Sequence, residues 1–325
     1  MGRRSLPTVL KGFGMQFKSS MAILGLCLFG LLGPMGSAWA AGEVGAKLCV
    51  TCHDEEDLPD MSKTAHGFAS DARVPDCISC HGPSLEHPKK PADNHPDRMF
   101  IRKLALPANE RSAVCMNCHI KDPNRTHWNG SAHDNADVAC NSCHKIHSNN
   151  DKVRNRATQA EVCYTCHKEQ RSQVNRPSHH PVPEGKMVCS DCHNPHGSVG
   201  PKLVKRDSTN DTCYTCHAEK RGPFVHQHDP VTEDCSNCHN PHGSVIAGML
   251  KTRPPMLCQQ CHTPHVAGGV GAFGGQTGVP VGNSFASGKN VINLWQGRSC
   301  LNCHTQIHGS NNPSTTNPTP QLMTR

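Results

Sequence analysis

The chain has little of the material from which proteins of its length build a hydrophobic core. Only 4% of its 325 residues are aromatic and 35% are hydrophobic, whereas it contains 28 glycines and 25 prolines. Because large apolar side chains dominate the interior of ordinary domains, we expect something other than side chains to fill much of this interior.

Long apolar runs are also missing after the first 40 residues, and we expect no transmembrane segment there. Residues 1–40 have the pattern of a signal peptide: four basic residues precede an apolar run over residues 21–32, and Ala-Trp-Ala at 38–40 resembles a cleavage site. A retained membrane anchor is the alternative, which the short apolar run disfavours. We expect an exported mature chain that begins near Ala41.

A strong excess of one charge is absent from the predicted mature chain. The whole sequence has a formal net charge of +7, and removal of Arg3, Arg4, Lys11 and Lys18 with the signal peptide, which has no acidic residue, leaves about +3. Because proteins that bind nucleic acid are usually strongly basic, we expect no nucleic acid partner.

No cysteine is left over for a disulfide. Of the 21 cysteines, Cys27 lies in the predicted signal peptide, and the other 20 form ten Cys-x-x-Cys-His motifs. Neither a disulfide framework nor zinc binding requires a histidine directly after every second cysteine, so both are disfavoured. The motif cysteines are Cys49, Cys52, Cys77, Cys80, Cys115, Cys118, Cys140, Cys143, Cys163, Cys166, Cys189, Cys192, Cys213, Cys216, Cys235, Cys238, Cys258, Cys261, Cys300 and Cys303.

Cys-x-x-Cys-His is the attachment motif of a c-type haem, in which two thiols bond the porphyrin and the histidine ligates the iron. On a helical turn the three side chains project from one face. We predict ten covalently attached haems c, which would supply the missing core, and expect the haem-free chain to stay largely unfolded. The motif histidines, called proximal here, are His53, His81, His119, His144, His167, His193, His217, His239, His262 and His304.

The motif spacing favours a multihaem cytochrome c fold. Most motifs start 22 to 28 residues apart, which leaves room for a short helical turn and a loop. We therefore predict mostly irregular chain with short α-helices around a linear array of ten haems, without significant β-sheet. Taken in order, the motifs form five two-haem repeats in an elongated domain over residues 41–309, and a disordered polar tail follows at 310–325.

Ten of the fourteen histidines outside the motifs are predicted to be the second, distal iron ligands. His147, His196, His242 and His265 each lie three residues after a proximal histidine, and His308 lies four after. Surface histidines have no reason to keep this spacing, and the methionines, which are competing ligands, hold no repeating position. By two-motif unit the candidates are His66 and His87 in the first, His133 and His147 in the second, His180 and His196 in the third, His228 and His242 in the fourth, and His265 and His308 in the fifth.

Four histidines are surplus to this assignment: His95, His127, His179 and His226. His179 and His226 lie one and two residues before a chosen ligand, so the sequence leaves open which of the neighbours ligates iron.

Two imidazoles on each iron leave no coordination position for a substrate, which predicts an electron-transfer protein and not an enzyme. The chain then supplies spacing, orientation and exclusion of water. A multihaem nitrite or hydroxylamine-type reductase, in which one iron lacks a distal ligand, is the alternative. Such enzymes often have lysine in place of a proximal histidine, and none of the ten motifs does.

Three runs, at residues 127–138, 210–223 and 298–311, resemble the MtrA/DmsE/PioA family of periplasmic decahaem c-type cytochromes, and the resemblance covers nearly the whole mature chain. It implies a periplasmic electron carrier with two histidines at all ten haems, inserted into an outer-membrane β-barrel protein. The implied electron partners are a periplasmic or inner-membrane quinol-linked cytochrome and an extracellular multihaem cytochrome or reductase. The haem at Cys300 would lie near the outer face and the haem at Cys49 near the periplasm.

A barrel partner also has a physical rationale. Irregular polar backbone cannot cross a hydrocarbon layer of roughly 30 Å without a closed sheath, and the mean hydropathy of this chain is −0.56. A soluble periplasmic electron shuttle without a barrel remains an alternative. The direction of electron flow, whether in extracellular respiration or in iron oxidation, stays open.

Overall fold

The computed structural model of the protein describes residues 47–53, 58, 61–67, 73–262, 300–301 and 304–311. The predicted signal peptide, Cys303, His265 and the chain beyond residue 311 lie outside these residues.

The helices in the described part are short. The longest has 12 residues, and the others have four to seven. They are α1 (Cys77–His81), α2 (Ala108–His119), α3 (Cys140–Cys143), α4 (Gln159–Tyr164), α5 (Lys168–Val174), α6 (Cys189–Cys192), α7 (Thr209–Tyr214), α8 (Asp229–Glu233) and α9 (Met256–Gln259). Single 3-10 turns lie at Met61–Lys63, Pro123–Arg125, Pro201–Leu203, Ala218–Lys220, Cys235–Asn237 and Ala247–Met249.

Several of these helices start at polar side chains that cap free backbone N–H groups. The carboxylate of Asp76 accepts the N–H of Ser79 at 2.8 Å at the start of α1, and the hydroxyl of Ser208 accepts the N–H of Asp211 at 3.0 Å at the start of α7. Such caps satisfy donors that a short helix cannot pair internally. The helical turns therefore begin at defined positions directly before or within the haem-attachment motifs.

Within the described residues the chain forms isolated antiparallel bridges and no strand. The bridges join Ser178 to Ser244, His193 to Val204, His226 to Ser310, and His239 to Leu250. The predicted fold class, a multihaem cytochrome c with short helices and without a significant sheet, is thus confirmed. No helix in this part of the chain combines the length and the apolar character needed to cross a bilayer.

Few large apolar side chains are buried in the described residues. Trp128, Ala139, Tyr164, Val174 and Val188 are the buried hydrophobic residues there. The motif cysteines in the same part are half-buried or exposed. The side chains alone therefore make a very small core for a chain of this length, as the composition predicts.

Close backbone approaches connect loops that are distant in sequence. A Cβ on Gly197 would lie 2.0 Å from the carbonyl oxygen of His127, and one on Gly243 would lie 2.2 Å from that of Gln173. Both glycines have a positive φ and directly follow a predicted distal histidine. Only glycine allows the chain to turn and pack this tightly there.

The first two residues of the predicted tail take part in the fold. Ser310 is buried, and its N–H and carbonyl group pair with the backbone of His226 at 2.9 Å. The Oδ1 of Asn311 accepts the N–H of Val225 at 2.8 Å. The described structure therefore continues two residues beyond the predicted boundary at residue 309.

Candidate haem-binding sites

The haem-attachment motifs adopt the helical turn that their spacing predicts. In eight motifs the backbone N–H of the proximal histidine donates to the carbonyl oxygen of the first cysteine, at 2.8 to 3.1 Å. This is the hydrogen bond of one α-helical turn, which puts residues i, i+3 and i+4 on one face. These proximal histidines are His53, His144, His167, His193, His217, His239, His262 and His304.

Nine proximal histidines face a predicted distal histidine across a similar distance. The ring centroids of each pair lie 5.9 to 6.2 Å apart, while the angle between the ring planes varies from 12° to 75°. The proximal–distal pairs are His53–His87, His119–His66, His81–His147, His167–His133, His144–His196, His217–His180, His193–His242, His262–His228 and His239–His308.

This separation suits two imidazoles that share one metal ion. An imidazole nitrogen bonds a metal at about 2 Å and its ring centroid lies about 1 Å behind it, so two opposed ligands have centroids about 6 Å apart. Rings in direct stacking would lie closer. The donor set therefore fits a haem iron held between two histidines.

The hydrogen bonds of the paired histidines use one ring nitrogen. His81, His193 and His239 each donate from Nδ1 to a backbone carbonyl oxygen, those of Arg98, Lys202 and Gly248, at 2.7 to 3.1 Å. Among distal members, His87, His133 and His180 donate from Nδ1 to the carbonyl oxygens of Asn94, Pro195 and Pro241, at 2.7 to 2.8 Å. Such bonds fix the ring orientation and the tautomer, and they direct Nε2 towards a metal.

His144 differs in its acceptor. Its Nδ1 lies 2.7 Å from a carboxylate oxygen of Asp151, and both side chains are largely buried. A carboxylate is a stronger acceptor than a backbone carbonyl group.

Burial favours the neutral form of eight of the paired imidazoles, which is the form that binds metal. Desolvation lowers the pKa of His196 to about 4. Burial is also the main cause of a lowered pKa at His66, His119, His147, His193, His228, His242 and His308.

The pKa of His179, one of the surplus histidines, is raised and not lowered. Its Nδ1 bonds the carbonyl oxygen of Arg176, and its Nε2 lies 3.1 Å from a carboxylate oxygen of Glu184. The hydrogen bond with Glu184 raises the pKa of His179. Both ring nitrogens are therefore engaged, and its neighbour His180 is the one that faces a proximal histidine, His217.

The other surplus histidines also lie outside the ring pairs. His95 and His127 are exposed. His226 is bridged to Ser310 through its backbone, and its buried Nε2 has no hydrogen-bond partner among the described residues. The sequence spacing could not decide between His179 and His180, or between His226 and His228, as iron ligands. The members of each pair lie too close together in the chain.

The distal histidines are exchanged between neighbouring two-motif units. The upstream histidine of a unit faces the first proximal histidine of the next unit, as His133 faces His167. The downstream histidine faces the second proximal histidine of the preceding unit, as His196 faces His144. The same rule describes every ring pair above except His53–His87.

The sequence grouped the distal histidines by unit but left their pairing with individual haems open, and eight of the nine pairs join histidines of neighbouring units. A histidine three residues after a motif lies beside the helical turn of that motif, so it cannot reach the opposite face of a haem held by that turn. It reaches a neighbouring motif instead. His87 faces His53 within the first unit, and His265 lies outside the described residues.

Successive motifs meet through their thiols in an alternating pattern. Within a unit the thiols of the two first cysteines are close enough to influence each other, and between units the second cysteines interact electrostatically. The interacting first cysteines are Cys49 and Cys77, Cys115 and Cys140, Cys163 and Cys189, Cys213 and Cys235, and Cys258 and Cys300. The interacting second cysteines are Cys80 and Cys118, Cys143 and Cys166, Cys192 and Cys216, and Cys238 and Cys261.

These contacts connect the motifs in their sequence order, from the first to the tenth. The short separations also change the thiol chemistry of the unmodified chain: the shared hydrogen bond raises the pKa of Cys115 and lowers that of Cys140 to about 6. Once bonded to a porphyrin, these sulfurs would no longer titrate.

Known proteins share this arrangement of motifs. The doubled CXXCH motif model matches residues 179–222 and 228–267, and the model for NrfB-like c-type cytochromes matches residues 77–159. The chain is 47% identical over 279 residues to the multiheme cytochrome MtrA of Shewanella baltica, covering 83% of this chain and 80% of the relative. It is 28% identical over 149 residues to the cytochrome c-type protein NrfB of Haemophilus influenzae, covering 38% of this chain and 66% of that protein.

Proposed function

Because this chain belongs to the MtrA/DmsE/PioA family of multihaem c-type cytochromes, we propose that it holds ten haems c and carries electrons between the periplasm and redox partners at the outer membrane. Electron transfer by a multihaem cytochrome is the common function of the family. The number of haems, the location and the partners are the specific parts of the proposal.

The observation that carries the proposal is the set of nine facing histidine pairs. The proximal and distal histidines would ligate the irons, and the thiols of each motif would bond the porphyrin edges. A bound haem supplies reversible one-electron chemistry at its iron. The chain holds each site between two imidazoles, so that neither side is free for a substrate.

His304 is proposed to pair with His265. The other nine predicted distal histidines each face the proximal histidine of another site, and the His53–His87 pair shows that such a pair can form between the two motifs of one unit. This pairing supports a count of ten sites, each with two histidine ligands.

The succession of thiol contacts supports transfer along a row of sites. The thiols of each motif interact with those of the next motif in sequence order, which supports attached porphyrins that have their nearest neighbours at the preceding and following motifs. The chain's role is to keep these sites close together, orient them and exclude water.

Carbon monoxide tests the ligation, because it binds ferrous haem only where a coordination position is open. We expect the reduced wild-type protein, with ten haems counted by intact mass, to bind no carbon monoxide and its ferric form to be entirely low-spin. A stoichiometric carbon monoxide complex would instead favour the nitrite or hydroxylamine-type reductase.

A location in a barrel protein of the outer membrane is proposed from the similarity to MtrA and from the polar, irregular backbone. A complex with a barrel protein should then remain together in detergent extracts of outer membranes. Recovery of all the protein in the soluble periplasmic fraction would support the periplasmic shuttle instead.

A further inference from the structure

One proximal histidine departs from the pattern of its equivalents in other units. The second motif of four successive units ends in His81, His144, His193 and His239. The Nδ1 atoms of the first, third and fourth donate to backbone carbonyl oxygens, whereas that of His144 contacts the carboxylate of Asp151.

Comparison with the equivalent loops in two other units shows that a carboxylate takes the place of a backbone carbonyl group beside His144. His193 and His239 donate to the carbonyl oxygen nine residues further on, those of Lys202 and Gly248, and both loops close with an antiparallel bridge eleven residues after the histidine. The loop after His144 has no such bridge among the described residues, and its acceptor is a side chain seven residues further on.

Asp151 is held in place for this contact. Its Oδ2 lies 2.7 Å from Nδ1 of His144, and its Oδ1 accepts the backbone N–H of Lys145 at 3.3 Å. The side chains of Asp151 and His144 are only 15% and 26% exposed. Because the pair is largely shielded from water, the hydrogen bond to the carboxylate is screened less than an exposed one would be.

We propose that Asp151 lowers the reduction potential of the haem bound by His144 and His196, which makes this site a low-potential position within the row. The inference rests on the proposed function, in which these two histidines ligate one iron. Asp151 contacts neither iron nor porphyrin in this scheme. It is a positioning residue that acts through His144.

The physical cause is polarisation of the Nδ1–H bond. A carboxylate acceptor withdraws this proton more strongly than a carbonyl group does and thereby makes Nε2 a stronger donor to the iron. A stronger donor stabilises the ferric state relative to the ferrous state, which is one electron more reduced. The proton stays in the hydrogen bond, so the step exchanges one electron only.

A low-potential site at the fourth motif has a consequence for the row. When electrons are added one at a time, this position should be among the last to be occupied. It would separate the three sites before it from the six after it, and transfer between the two groups would have to pass through this less favourable position.

The test compares the wild type, Asp151→Asn, Asp151→Glu and the control Asp207→Asn, all as full-length haem-loaded proteins. Asp207 is exposed and lies in the loop after His193, so its substitution removes the same charge without a described contact to an imidazole. Each protein is titrated potentiometrically by visible and electron paramagnetic resonance spectroscopy, after haem counting by intact mass.

We expect the amplitude of one haem to move from the low-potential end to a more positive potential in Asp151→Asn, with ten low-spin haems retained. Asp151→Glu and Asp207→Asn should titrate like the wild type. An unchanged titration of Asp151→Asn would overturn the inference, and so would loss of the haem from this variant, because an amide oxygen can still accept the Nδ1–H bond. A wild type with fewer than ten haems, or with an open iron, would instead overturn the proposed function.

Discussion

His133 donates its Nδ1–H to the carbonyl oxygen of Pro195, 62 residues further along the chain, at 2.8 Å. His180 makes the same bond to Pro241 at 2.7 Å. Each proline directly precedes a distal histidine that faces a different motif. One backbone segment therefore orients the distal imidazole of one site and carries the distal imidazole of the preceding site, which makes neighbouring sites depend on one another.

Substitution of His180 and substitution of its neighbour His179 should have opposite effects on the haem at the seventh motif. His180→Ala removes the imidazole that faces His217, so we expect one haem that binds carbon monoxide when reduced and is high-spin when ferric. His179→Ala is the matched control and should leave all haems low-spin, because both nitrogens of His179 already bond Arg176 and Glu184. Carbon monoxide difference spectra of the two reduced variants measure this binding. Binding in His179→Ala but not in His180→Ala would reverse the assignment.

The angles between imidazole planes predict two classes of ferric haem. The planes of His66 and His119 meet at 73° and those of His133 and His167 at 75°, whereas the planes of His144 and His196 meet at only 12°. Near-perpendicular imidazole planes leave the dxz and dyz orbitals of low-spin ferric iron almost equal in energy.

We therefore expect large-gmax electron paramagnetic resonance signals from the two near-perpendicular pairs and ordinary rhombic signals from the near-parallel pairs. Substitution of His133 should remove one large-gmax signal, whereas substitution of His196 should remove a rhombic one. A spectrum with only rhombic signals would contradict the ring geometry.

Gly243→Ala should strongly destabilise the folded protein. A Cβ at this position would lie 2.2 Å from the carbonyl oxygen of Gln173, and the φ of 142° disfavours any side chain. We expect a loss of about 3 kcal/mol or more in the free energy of unfolding, as for combined steric and backbone strain.

Gly185→Ala is the control for that substitution. Gly185 also has a positive φ, of 70°, but nothing lies within 4 Å of an added Cβ, so the cost should be about 1 kcal/mol. Guanidinium unfolding of the haem-loaded variants, followed by circular dichroism, measures the difference. Equal losses in both variants would show that the approach to Gln173 does not matter.

Removal of the haems should prevent folding. The buried hydrophobic residues of the described part are too few to offset the conformational entropy of so long an irregular chain. A mature chain expressed in a host that does not attach haem should give amide resonances of narrow dispersion and no cooperative melting transition. A cooperative transition in the haem-free chain would mean that the side chains suffice.

The attachment motifs could be found in the sequence because the signal is local. Three side chains at i, i+3 and i+4 share one face of a helical turn whatever the rest of the chain does, and the turn is present at His53 as at His304. Half of the distal set could also be found from spacing, since five of its members lie three or four residues after a motif histidine. Each of the nine that the structure describes faces a proximal histidine, although their ligation of iron remains a prediction.

The sequence did not reveal which proximal histidine each distal histidine would face. His147 lies three residues from His144 in the sequence, yet it faces His81, 66 residues before it. Loops of about 20 residues can reach several motifs at similar entropic cost, because the cost of closing a loop rises only slowly with its length. Sequence distance therefore carries almost no information about which pair will form.

The sequence by itself determined the class of protein, the number of attachment motifs and the pool of imidazoles, because these follow from residue types at short, fixed spacings. Only the tertiary structure decided that units exchange their ligands, that His180 and not His179 faces a motif, and that a carboxylate replaces a carbonyl group beside His144. These outcomes depend on how distant segments pack around one another. Contacts such as the hydrogen bond from the His133 side chain to the carbonyl oxygen of Pro195 select one arrangement among many that the spacing allows.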